Sequence, residues 1–244
     1  MTQPSPESQL ADLRGLVTTA TQRLLGATIA VADEQWSAPS RLPGWSRAHV
    51  ATHLSRQADG LVRLVEGAEV GERRSMYPSF EAREAQIEAG AGRTGLELQT
   101  DLDTSAGRLT EAFERLDETG EPAGSAWSRE VEMRGGLVIP ARLLPLARLF
   151  ELELHLVDLD VGHDVEQIEE PVAGWLVEWV SFRARARDEF PRVELRMPSG
   201  TTTVGSVGAP VVVTGSAPTL LGWLTGRVDA SAVDGAGRLR LPTL

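Results

Sequence analysis

Two of the four histidines, His49 and His53, stand one helical turn apart. Further along, Glu151, His155 and Asp158 follow at i, i+4 and i+7. At about 100° per residue that spacing puts all three on one face of a helix. A carboxylate and an imidazole one turn apart can close on a single divalent ion without distorting the helix that carries them. The order Glu-x-x-x-His differs from the H-E-x-x-H of zinc proteases, where the glutamate lies between the histidines as a base, so Glu151 reads as a ligand. Either pair alone is also what a solvated helix face carries. Two such pairs on helices that an antiparallel bundle makes neighbours say more, because bundle cores are a recurrent place for metals held by facing side chains.

The chain is equally informative in what it lacks. It has no cysteine and no lysine, and all 24 basic residues are arginine. That excludes disulfides, thiolate metal ligands and a thiol nucleophile of the protein's own, together with Schiff bases and the lysine of a phosphate-binding loop. A net charge of -11 argues against nucleic acid or an anionic membrane as partner. There is no G-x-S-x-G elbow, and Gly235-Ala236-Gly237 lacks the third glycine and the strand–helix setting of a dinucleotide site. The first twenty residues show no basic start followed by an apolar run, and no apolar stretch is long enough for a bilayer. A cytoplasmic location is therefore expected. With no long exposed apolar strand and no heptad seam, a monomer is expected too.

Helices must position these residues. Ser5-Pro6 reads as an N-cap with proline at the first helical position. Leu10, Leu13, Val17, Leu24 and Val31 then predict a first helix to about residue 33. Pro39 and Leu42-Pro43-Gly44-Trp45 end it, and Ser46 caps a second helix whose apolar stripe is Val50, Leu54, Leu61 and Val65. Met76-Tyr77-Pro78 leads into a short helix over 79–89, and a third long helix carries Leu98, Leu102, Leu109, Phe113 and Leu116. The stretch 118–139 reads as irregular, with a hairpin around Gly135-Gly136, and Pro140 opens a fourth long helix to about Asp160. In that helix, one acid of Glu151-Leu152-Glu153 is expected to face water. Beyond Pro171 comes a helix in which Trp175 and Trp179 serve packing, then strands over 193–197, 201–204 and 211–214. A short helix over 218–226 follows, with two strand-like pieces around Val233 and Leu239. The expected architecture is a helical bundle over residues 1–166 and a smaller α/β domain over 167–244.

At this point the residues resemble a known family. The elements are Leu42-Pro43-Gly44-Trp45-Ser46-Arg47-x-His49-x3-His53-Leu54, Met76-Tyr77 with Glu81-Ala82-Arg83, and Glu151-x-Glu153-x-His155-x2-Asp158-Leu159. Together they are similar to the mycothiol-dependent maleylpyruvate isomerases, whose metal-binding domain is a DinB-like four-helix bundle. A C-terminal piece, Trp223-Leu224-Thr225-Gly226-Arg227, extends the resemblance over nearly the whole chain. The resemblance implies that His53, Glu151 and His155 are zinc ligands and leaves His49 out. It implies that Arg227, from the second domain, faces the metal pocket and contributes to binding or catalysis, and that Arg83 and Tyr77 lie near that pocket. One departure is Leu156, which stands where many relatives have a second consecutive histidine. That position is not the one-turn partner of Glu151, so the site is expected to survive.

Three protein ligands leave open positions for water, thiol or substrate, the pattern of a catalytic zinc. Asp158 is the candidate acceptor that orients the His155 imidazole. A thiol on zinc loses its proton near neutral pH, so a diffusible thiol, mycothiol or a relative, supplies the nucleophile the chain lacks. The implied reaction is the isomerisation of maleylpyruvate to fumarylpyruvate, a step of aromatic breakdown through gentisate. The dicarboxylate substrate needs cationic anchors, for which Arg227 and Arg83 are the candidates. A thiol S-transferase acting on electrophiles shares the metal and the thiol. A non-catalytic protein stapled by zinc is the reading from another class, and a fourth protein ligand such as His49 distinguishes it.

Overall fold

Four long helices, α1 (Pro6–Thr28), α3 (Arg47–Val70), α5 (Gly95–Asp117) and α6 (Leu144–Asp158), form a bundle in the computed structural model. The structure describes residues 6–117, 126–185, 187, 189–237 and 239–242. Two short helices, α2 (Asp33–Trp36) and α4 (Phe80–Gly90), and a hairpin of β1 (Glu130–Glu132) with β2 (Val138–Pro140) complete this first compact unit, Met1–Gly162.

Local sequence accounts for where these elements begin and end. Ser46 caps α3, its hydroxyl accepting from the His49 amide, and Gly71 ends the helix in a left-handed conformation at φ 73°. The stripe Val50, Leu54, Leu61 and Val65 is completely buried, and α3 lies against α4, α5 and α6. Helix α6 is buried nearly all round, with Leu144, Leu149, Leu152, Leu156 and Val157 at 1% exposure or less. It packs on α1 and α3. Gly135 and Gly136, at φ 82° and 80°, lie in the turn between β1 and β2, a backbone that residues with a Cβ rarely adopt.

The expected extent of the first helix is corrected. The first helix ends at Thr28 rather than near residue 33. The Thr28 carbonyl accepts from the Gln99 side chain at 2.6 Å, and the Thr28 hydroxyl bonds back to Leu24. The chain then turns into the separate short helix α2, tied to α5 by the Gly95 amide donating to Asp33. The Ser5 cap expected for α1 lies outside the described residues.

The second compact unit, His163–Leu244, holds α7 (Glu170–Ala184), β3 (Pro191–Met197), β4 (Gly200–Val204), β5 (Val207–Thr214) and α8 (Ala217–Leu224). Its sheet runs β4-β3-β5, with β3 antiparallel to β4 and parallel to β5. Trp179 is buried, and α7 packs on α8. The strand-like pieces expected around Val233 and Leu239 are not strands among the described residues. Residues Ala230–Ala232 form a 3-10 turn, and only a single bridge, Thr214 to Asp234, joins the sheet before Gly235 and Gly237 turn the chain away at positive φ.

Candidate metal centre

Helices α3 and α6 pack side by side and bring His53 to Glu151 and His155. The His53 Nε2 lies 2.9 Å from Glu151 Oε2, and the His155 Nε2 lies 3.2 Å from the same oxygen. The three ligand atoms all lie within 4.8 Å of one another. Tetrahedral ligands at the usual zinc–nitrogen and zinc–oxygen distances stand roughly 3.4 Å apart. A divalent ion therefore fits among these atoms with small adjustments. Two imidazole nitrogens and one carboxylate also suit zinc by donor type.

The charge state follows from the surroundings. Burial pushes the His53 imidazole down to about 4, with the hydrogen bond to Glu151 opposing and the nearby His155 reinforcing the fall. Burial would raise Glu151, but hydrogen bonds from His155 and His53 outweigh it and hold the carboxyl well below the ordinary range. Burial would lower His155 as well; here bonds to Asp158 and Glu151 win and raise it. The cluster is thus anionic at Glu151 and neutral at His53, which are the forms a metal ion requires.

Neighbouring side chains orient the ligands. Asp158, itself 0% exposed, accepts from His155 Nδ1 at 2.8 Å and so directs Nε2 towards Glu151. Arg83 on α4 approaches His53 Nδ1 at 2.9 Å, pairs with Glu84 and lies over the Tyr77 ring with its guanidinium carbon 5.7 Å from the centroid. A guanidinium only donates, so Nδ1 accepts and the Nε2 proton points at Glu151. Coordination through Nε2 needs the opposite tautomer, and the Arg83 contact then has to loosen. Burial raises the Tyr77 phenol, against the pull of Arg83. The Trp45 ring packs on His53 at 5.5 Å.

The remaining candidates fall elsewhere. His49 bonds to Ser46 at 2.7 Å and meets Glu88 at 3.2 Å, so it works at the start of its own helix and not in the cluster. Glu153 does not face water as one acid of its run was expected to; it is 3% exposed and paired with Arg23 of α1. Glu151 is the other acid, and it turns to the histidines. Leu156 is buried and takes no part in the cluster. Arg227 belongs to the second unit, just beyond α8, and its guanidinium donates to the Thr225 carbonyl. Nothing in the sequence singles out Arg148 beyond its place three residues before Glu151 and seven before His155, on the same face of α6.

A family model for the mycothiol maleylpyruvate isomerase N-terminal domain matches residues 17–160, more than half of the chain. The chain belongs to the mycothiol maleylpyruvate isomerase family. Among solved structures, the crystal structure of the mycothiol-dependent maleylpyruvate isomerase aligns with a TM-score of 0.84 at 27% identity, covering 96% of this chain and 97% of that one. A histidine-to-alanine mutant of a protein so titled aligns at 0.83 and 26% identity over the same shares. No curated protein sequence matches. Members of this family and their solved relatives point to a thiol-dependent enzyme, and no helix among the described residues is long and apolar enough to cross a membrane.

Proposed function

We propose that this protein is a zinc-dependent cis–trans isomerase that converts maleylpyruvate to fumarylpyruvate with mycothiol as co-substrate. The observation that carries the reading is the three-ligand cluster itself: His53, Glu151 and His155 converge, while His49 is engaged elsewhere and supplies no fourth ligand. His53, Glu151 and His155 would hold a zinc ion, which would supply stabilisation of the thiolate form of a small thiol. Thiolate addition to the conjugated double bond leaves a single bond that rotates; elimination of the same thiolate restores the double bond as trans. Atoms and charge balance over the cycle, so no further reactant is needed.

The chain's own residues bind and orient. Asp158 holds the His155 tautomer. Arg83 is the candidate anchor for a substrate carboxylate in the first unit, with Tyr77 supporting its guanidinium from the ring face, and a role for Arg227 rests on the family resemblance alone. The reading takes small molecules as the only partners, a monomer as the working form and the cytoplasm as the location. A zinc-stapled binding protein is disfavoured, because among the described residues no fourth side chain closes the cluster.

The test is a coupled assay on zinc-loaded protein, following loss of maleylpyruvate and gain of fumarylpyruvate with and without mycothiol. Thiol-dependent conversion that disappears in His53→Ala is the expected result. One bound zinc per chain without conversion refutes the isomerase assignment and leaves thiol transfer to other electrophiles as the activity of the same site.

A further inference from the structure

One buried charge beside the cluster has no role in the reading above. Arg148 on α6 is 1% exposed. Its Nη1 donates to the Leu54 carbonyl at 2.8 Å and to the Gln57 side-chain oxygen at 2.7 Å, and both acceptors are neutral. Its Nε is buried without an acceptor, and among the described residues it makes no ion pair with a carboxylate. A guanidinium buried this way is costly, and an aliphatic side chain of similar length fills the space without that cost. The placement is informative. Arg148 precedes Glu151 by one helical turn, Leu54 directly follows His53, and Gln57 lies one turn beyond it. The arginine therefore sits in the layer directly beneath the ligands and ties α3 to α6 there. The charged and titratable groups it feels are Glu151, Tyr77 and Asp59. Burial brings it down to about 10, so it stays a cation at neutral pH.

We propose that Arg148 is a positioning residue whose buried, unpaired charge makes the position left open by the three ligands select an anion over a neutral ligand. This rests on the metal-centre reading. A divalent ion facing a single carboxylate leaves net positive charge, and Arg148 adds to it from a side that solvent does not screen. An anionic occupant, whether thiolate or another small anion, relieves both. A neutral occupant relieves neither.

The experiment loads the full chain with one equivalent of cobalt(II) and titrates it with azide and, separately, with imidazole, following the visible absorption. Three proteins are compared with the parent: Arg148→Met, Arg148→Lys, and the double variant Arg148→Met with Gln57→Leu. The double variant removes both hydrogen-bonding partners together, which cores tolerate better than an orphaned amide. Azide affinity is expected to fall about tenfold in the neutral variants while imidazole affinity stays within about twofold. Arg148→Lys restores the charge without the fork and is expected to recover azide binding. Equal losses for azide and imidazole, or no loss for either, overturn the proposal, since a scaffold role moves both ligands alike. If the parent takes up no cobalt, or takes it up and binds neither ligand, the metal-centre reading has failed first and Arg148 falls with it.

Discussion

Asp158 is buried behind His155 and holds its Nδ1 at 2.8 Å, so its work is to fix a tautomer and not to touch a reacting atom. Asp158→Asn is expected to lower zinc affinity by about 10- to 100-fold with the helical content kept, as competition against a chelator measures; affinity equal to the parent's removes Asp158 from the site. A second consequence at this scale concerns acid. His53 titrates at about 4 in the fold against an ordinary 6.5, chiefly because it is buried. Between those values the unfolded chain holds a proton that the folded chain refuses. Stability of the zinc-free protein therefore falls as pH drops through that window, by on the order of 3 kcal/mol from this group. His155 acts in the opposite sense: its raised value gives stability that is present below 6.5 and lost as pH rises through the folded value. Urea unfolding in chelator at about pH 7 and about pH 5 tests this. His53→Gln is expected to lose less stability than the parent between the two, and an equal loss exonerates His53.

At the scale of elements, α4 is set against α3 by the absence of a side chain. A Cβ on Gly90 would stand 2.3 Å from Thr52 Cγ2, next to His53, whereas one on Gly92 meets nothing within 4 Å. Gly90→Ala is expected to cost about 1–3 kcal/mol and Gly92→Ala less than about 0.5 kcal/mol in thermal unfolding. Comparable losses from both overturn the packing account, because alanine is the better helix former and Gly92 lies beyond the end of α4. The long helices and the hairpin were legible in the sequence because their signals are local: Ser46 before the Val50–Leu54 stripe, Gly135-Gly136 between short apolar runs, the leucines of α6. The end of α1 was not, because the decisive contact comes from Gln99, far along the chain. The strands expected near Val233 and Leu239 did not form although β5 is an edge strand, because among the described residues a single bridge, Thr214 to Asp234, is made before Gly235 and Gly237 turn the chain away. Within the cluster, one-turn spacing exposed Glu151 and His155, but no local pattern says that a lone arginine at 148 is wholly buried.

For the molecule as a whole, the division between Met1–Gly162 and His163–Leu244 leaves every member of the metal cluster in the first unit and Arg227 in the second. We propose that the two units are domains with separable tasks. A fragment of residues 1–162 is expected to fold, to bind one zinc, and to show no thiol-dependent isomerisation; activity in the fragment removes Arg227 from the mechanism, and failure to bind zinc makes the first unit dependent on the second. The cluster's chain topology has a further consequence. Glu151 and His155 are neighbours on one helix, but His53 is 98 residues from Glu151 along the chain. An ion held by all three closes that span as a covalent bridge would, lowering the entropy of the opened chain. Two of its bonds survive any motion that leaves α6 intact, while the third breaks only when α3 and α6 part. An ion bound there would stay as long as the bundle stays closed, so its release would time the parting of α3 from α6.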